Sequence, residues 1–201
     1  ALKLLEKNFS SDHMDAASIH NHIGKLYLEM KNPKKALENF QIALKILEKN
    51  GMIDNPLTIE TVRHIGLAYE GDLNNKSAME YYLKGQAMAE ERRDLHCLQS
   101  LTVCIADMKY KAGKYEEARK EYTKALEHID EMEWFDTHEL GKINKKIGMC
   151  YKEEGNQKEA EAYFRKAAQQ IRKNDKEYEF FSGMFPEEPK QEEKEDSNAT
   201  P

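Results

Sequence analysis

Four copies of one short pattern, in register along the chain, limit what it can fold into more than any other feature. Ile23-Gly24-x-x-Tyr27 recurs as Ile65-Gly66-x-x-Tyr69 and as Ile147-Gly148-x-x-Tyr151, with a degenerate copy, Ile105-Ala106, between them. Twelve residues after each Gly or Ala comes a small residue (Ala36, Ala78, Ala118, Ala160), and four further on an aromatic (Phe40, Tyr82, Tyr122, Phe164). Three beyond that the residue is small again: Ala43, Gly85, Ala125 and Ala167. The copies are spaced by 42, 40 and 42 residues. A fixed period of this size is the mark of a stacked array of identical units. Small residues on a first helix let a second approach closely, and the Ala on the second answers them. The Ile and the aromatic fill the space between helices and the seam to the next unit.

A second regularity supports the first. Asp12, Asp54, Asp94 and Asp136 each stand 12 residues before the Gly or Ala, where each is expected to cap the first helix of its unit. Pro56 fits the first turn that follows Asp54. Lys31-Asn32-Pro33, Leu73-Asn74-Asn75, Ala112-Gly113-Lys114 and Gly155-Asn156 supply turn-forming residues between the paired helices.

This register resembles the tetratricopeptide repeat. The resemblance implies an all-α, right-handed α-solenoid of helix-turn-helix units with a period of about 42, longer than the usual 34. Ala1-Leu-Lys-Leu-Leu-Glu-Lys-Asn8-Phe9 nearly copies Ala43-Leu-Lys-Ile-Leu-Glu-Lys-Asn50-Gly51. The expected layout is therefore 1–11, the second helix of a truncated repeat with Leu4 and Leu5 exposed; 12–53, 54–93, 94–135 and 136–175, four repeats; 176–185, a capping or recognition segment; and 186–201, a disordered acidic tail. A cover is the favoured reading of Tyr178-Glu-Phe180-Phe181-Ser-Gly-Met184-Phe185, because the end of a solenoid needs one.

Charge narrows the function. The chain carries a net charge of −6, and its tail from Pro186 holds six acids against two lysines. The folded part is thus nearly neutral, with no field to gather nucleic acid. No apolar run approaches a membrane span. Cys97, Cys104 and Cys150 form no CxxC pair, and seven residues separate the first two, about 10 Å along a helix. Free thiols point to a reducing, cytoplasmic setting.

No catalytic, metal or cofactor site is expected. His138-Glu139-Leu-Gly-Lys142 begins like a zinc-protease helix but has Lys where the second His must stand. His20 and His22 sit two apart on a helix and face different ways, so His20 is read as a hydrogen-bonded packing residue. The cysteines are read as packing. The work left is binding of other proteins. First helices of tetratricopeptide arrays line a concave groove, and the register places Asn21, Lys25, Arg63, His64, Asp107, Lys142, Lys145, Lys146 and Lys152 there. The lysines on the fourth unit suit an acidic segment, or the chain's own tail; a solvated helix face is the equal alternative. The family's clamp for chaperone C-termini needs Lys then Asn, and Asn21 and Lys25 stand in the reverse order. Trp134-Phe135, just before Asp136, is read as a hydrophobic staple onto the next helix rather than as an exposed hot spot for a partner.

Ala1 to Phe9, Ile19-His-Asn-His-Ile-Gly24 and Tyr82-Leu-Lys-Gly-Gln-Ala-Met-Ala-Glu-Glu91 together resemble the tetratricopeptide subunit of the outer dynein arm docking complex. That resemblance implies an adaptor in the cilium axoneme, bound to other docking-complex subunits and the cytoskeleton. The rival is a tetratricopeptide regulator that binds a peptide in signalling or cell polarity.

Overall fold

The computed structural model describes residues 14–171 and 180–181. Those residues form eight α-helices in four antiparallel pairs: α1 (Met14–Glu29) with α2 (Pro33–Lys49), α3 (Pro56–Gly71) with α4 (Asn75–Arg92), α5 (Leu95–Lys111) with α6 (Tyr115–Asp130), and α7 (Thr137–Glu153) with α8 (Gln157–Gln170). Each second helix also packs on the first helix of the next pair, and α1 touches α3 as α3 touches α5. The result is the expected all-α solenoid.

Within a pair, the Gly of the first helix receives the aromatic ring of the second. A Cβ on Gly24 would lie 2.5 Å from the Phe40 ring, and one on Gly66 would lie 2.5 Å from the Tyr82 ring. The close approach is therefore Gly against ring, where Ala had been expected to answer the glycine. The same rings also seal the seam onward. Phe40 clusters with Ile65 and Ala68, Tyr82 with Leu101 and Ile105, and Tyr122 with Ile147 and Cys150.

All four turns inside the pairs share one geometry. The backbone N–H groups of Asn32, Asn74, Lys114 and Asn156 donate to Tyr27, Tyr69, Lys109 and Tyr151 at 2.8–3.0 Å. This is the Schellman closure, which needs a left-handed residue just before it. Gly113 and Gly155 fill that place easily at φ +74° and +78°, whereas Lys31 and Leu73 are held at +55° and +61°. Asn32, Asn74 and Asn156 then cap the following helix with their side chains; Lys114 gives no such bond.

Two expectations are corrected here. Asp94 and Asp136 accept from the N–H groups of Cys97 and His138 as foreseen, but α3 begins at Pro56 and its cap is Asn55, not Asp54. Asn55 Oδ1 accepts from Leu57 N at 2.9 Å, because the residue directly before an N1 proline is the cap. Asp12, Leu4 and Leu5 lie outside the described residues. Trp134 is 83% exposed and makes no staple onto α7; Phe135 is 37% exposed. At the far end Phe181 is buried with Ala160, Phe164, Ala167 and Ile171. Tyr178, Met184, Phe185 and the acidic tail fall outside the described residues.

Candidate binding wall

The first helices α1, α3, α5 and α7 carry every residue expected in the groove. Asn21 is only 3% exposed, and its Nδ2 donates to Thr61 Oγ1 on α3 at 2.7 Å. Lys25 donates to Glu60 Oε1 at 2.9 Å across the same seam. Burial pushes the Glu60 carboxyl up, but the Lys25 bond and the surrounding positive charge outweigh it and hold it below the usual carboxylate range. His64 is 5% exposed and stacks on Phe40, with ring centroids 5.2 Å apart. Burial, aided by the Arg63 charge, lowers its pKa to about 3, so the ring is neutral at pH 7. Arg63 Nη2 lies 3.1 Å from His64 Nε2, which accepts from it. Asn21 and His64 are thus buried in the seams, each against a neighbouring helix.

Across the next seams, a tyrosine, a carboxylate and a lysine meet twice. Tyr82 donates to Glu70 Oε2 at 2.7 Å, and Lys111 from the next pair binds the same carboxylate. Tyr122 donates to Asp107, and Lys146 from α7 lies 2.8 Å from each Asp107 oxygen. Burial and the adjoining carboxylate push both tyrosine hydroxyls far up, so they act only as donors.

The lysines of α7 are consequently not a pool of unengaged ammonium groups. Lys146 neutralises Asp107, and Lys142 donates to Glu139 Oε1 at 2.8 Å. Lys145 lies over the Phe180 ring, 4.7 Å from its centroid. Lys152 is exposed. Single-residue periodicity places these side chains on one face but is blind to the acids and rings that meet them there.

Between α3 and α5 the wall opens into a cavity of about 430 Å³, lined by Pro56, Ile59, Glu60 and Arg63 on one side and by Ser100 and Leu101 on the other, among others. Ser100 was missed from sequence, although it stands six residues before Ala106 as Lys142 stands six before Gly148. His20 is half-buried, with Nδ1 3.0 Å from Asn39 Oδ1. Cys104 and Cys150 are buried and Cys97 half-buried. Burial pushes the Cys97 and Cys150 thiols up to about 12, which makes them packing groups. Among the described residues, no cluster of three or more His, Cys, Asp or Glu could hold a metal ion, and no helix is long and apolar enough to cross a membrane.

The sequence matches the tetratricopeptide repeat family over residues 1–91 and 97–173. The chain is a tetratricopeptide repeat protein. Proteins of this kind bind other proteins. No curated protein matches it in sequence. Its fold is similar to the apo form of RapI, at 20% identity and a TM-score of 0.71 over 90% of this chain and 50% of that one. It is similar to a Rap protein complexed with Competence and Sporulation Factor, at 16% identity and a TM-score of 0.69 over 78% and 44%. BtubC from P. vanneervenii is a third, at 18% identity and a TM-score of 0.67 over 87% and 67%. At these identities the likeness is one of fold. The repeat protein spans about half the length of the two Rap proteins.

Proposed function

We propose that this tetratricopeptide protein is a non-catalytic scaffold whose wall of first helices holds an extended segment of another protein. The observation that carries the reading is the open cavity between α3 and α5, set in a wall whose seams are bridged by hydrogen bonds and ion pairs. A recess with an apolar floor and a few polar groups is what a side chain of a bound segment needs. Of the two settings raised by the sequence, this favours the peptide-binding regulator. The segments resembling the dynein arm docking subunit support an axonemal adaptor built on the same scaffold. Its partners would then be docking-complex subunits, and proximity labelling in ciliated cells should enrich them with axonemal dynein. Free, high-pKa thiols fit a cytoplasmic setting for either.

The wall is tested by contrast. Acidic substitutions on first helices, His22→Glu with Lys142→Glu and Lys152→Glu, should weaken capture of a bound partner. Reversals on exposed positions of second helices, Lys84→Glu with Lys124→Glu, should leave it unchanged. Capture lost only through the second set would place the docking surface on the opposite face and end this reading.

A further inference from the structure

We propose that the loop between α6 and α7 is a second docking surface, separate from the first-helix wall, for a segment of another protein that interleaves basic and apolar side chains. The apolar side chains of that segment cover the Trp134 indole, and its lysines or arginines meet the acids around it. The proposal does not depend on the wall being a binding surface.

Trp134 is the chain's single tryptophan and is 83% exposed. Lone exposed apolar side chains are ordinary, but tryptophan is among the residue types most enriched where interfaces concentrate their binding energy. The array's own repetition shows that the fold has another way to place this side chain. Loops 50–55 and 131–136, which lead into α3 and α7, are both six residues long. Met52 stands two residues before Asp54, as Trp134 stands two before Asp136. Met52 is half-buried against the cluster that holds Ala17, Ile46 and Leu47, whereas Trp134 at the same place faces water. The loop that carries it is tied at both ends. Met132 N donates to Ile129 O at 3.0 Å, and Asp136 Oδ1 accepts from His138 N at 3.0 Å. A side chain presented on a backbone anchored in this way loses less freedom on docking.

Charge selects the partner. Asp130, Glu131 and Glu133 are exposed and lie within four residues of Trp134. Among the described residues they form no ion pair. Glu116, Glu117 and Glu121, earlier on α6, are each met by a lysine, at 2.8 Å from Lys120, 3.1 Å from Lys114 and 2.9 Å from Lys109. Three uncompensated carboxylates around one indole repel an acidic segment or an anionic lipid surface and draw a basic one. Basic side chains arriving there gain twice, because they pair with the carboxylates and can lie over the indole face. Exposed charge pairs set orientation and on-rate, while the covered indole supplies most of the affinity.

The only tryptophan lies in the loop, so its fluorescence reports on the site in the full chain. Three blocked hexapeptides serve as probes, alternating leucine with arginine, with glutamine or with glutamate. The arginine peptide should move the emission to shorter wavelength and saturate, binding about tenfold more tightly than the glutamine peptide, and the glutamate peptide should leave the emission unchanged. Added salt should weaken the arginine peptide. Glu131→Gln with Glu133→Gln should remove most of its advantage over the glutamine peptide. Trp134→Ala, followed by calorimetry, should abolish binding of the arginine peptide. These positions are exposed, so the variants should melt with the parent chain. Equal binding of the arginine and glutamine peptides overturns the proposal, as does full binding of the arginine peptide by Trp134→Ala. An emission shift with phosphatidylserine vesicles but not with the arginine peptide overturns it too, and makes the indole a membrane anchor instead.

Discussion

Lys146 places its Nζ 2.8 Å from both carboxylate oxygens of Asp107, one repeat earlier in the chain. The same carboxylate accepts the Tyr122 hydroxyl, and Tyr82, Glu70 and Lys111 repeat the arrangement one seam before. A buried tyrosine needs an acceptor for its O–H, and a carboxylate supplied for that purpose needs a counter-charge. Where the aromatic position holds Phe instead, as at Phe40 and Phe164, no hydroxyl requires an acceptor. The tyrosine inside a pair thus meets a carboxylate whose counter-charge comes from the next pair.

Lys146→Gln should therefore destabilise the array by about 1 kcal/mol. The side chains of Lys146 and Asp107 are 33% and 31% exposed, so water screens part of the attraction and a fully buried pair's value does not apply. Denaturant unfolding of Lys146→Gln, Asp107→Asn and the double variant measures the coupling. Strict additivity of the two single changes would mean that the pair contributes nothing beyond its members.

The helices, their turns and the aromatic seams were legible because each is written locally and repeated. A three-residue turn or a Gly-to-aromatic spacing of 16 needs no knowledge of the superhelix. The ion pairs were not legible, since 39 residues separate Asp107 from Lys146 and only the rise of the array brings them together. For that reason Lys142, Lys145 and Lys146 read as a positive patch although acids and rings meet them. Burial misled in the other direction: Asn21 and His64 occupy wall positions, yet their short side chains turn into the seam. Asp54 failed as a cap because two acceptable caps, Asp54 and Asn55, stand side by side and the proline selects the second.

The array's own repeats show where it can be improved. Leu73 is 85% exposed and held at φ +61°, where Gly113 and Gly155 stand in the equivalent turns. Leu73→Gly should stabilise by roughly 0.5–1 kcal/mol, the relief of left-handed strain exceeding the entropy of a new glycine. Lys114→Asn should add a similar amount, roughly 0.5–1 kcal/mol, by supplying the cap bond that Asn32, Asn74 and Asn156 make. Unchanged melting temperatures in both would mean that turn geometry is set by packing alone.

Acid should act on the fold through His64. Its folded pKa of about 3 lies below the ordinary histidine value, so between these pH values the unfolded chain binds a proton that the folded chain refuses. Stability is then full above about pH 6.5 and falls as pH drops toward 3. Between pH 7 and pH 5, before carboxylates protonate, this one group should remove up to about 2 kcal/mol. Replacing it, as in His64→Gln, should flatten that part of the stability profile relative to the parent chain. Parallel profiles from pH 7 to pH 5 would show that the ring protonates in the folded state.

The last prediction concerns the cover over the final pair. Phe181 is 1% exposed and packs on Phe164, and the Phe180 and Phe181 rings meet at 5.0 Å with their planes at 90°. Lys145 over Phe180 fastens this aromatic pair to α7. Phe181→Ala uncovers the ring of Phe164 and leaves a cavity, so it should cost about 3 kcal/mol. Lys145→Glu removes the cation from the ring and should cost about 0.5–1 kcal/mol. Lys142→Glu, whose partner is a neighbouring acid on the same helix, should cost only a few tenths of a kcal/mol. That order, Phe181 far above Lys145 and Lys145 above Lys142, is what a structural cover requires, and thermal unfolding of the three variants reads it directly. If Phe181→Ala melts with the parent chain, the aromatic pair does not seal the array, and the segment around it becomes a candidate for recognition by a partner.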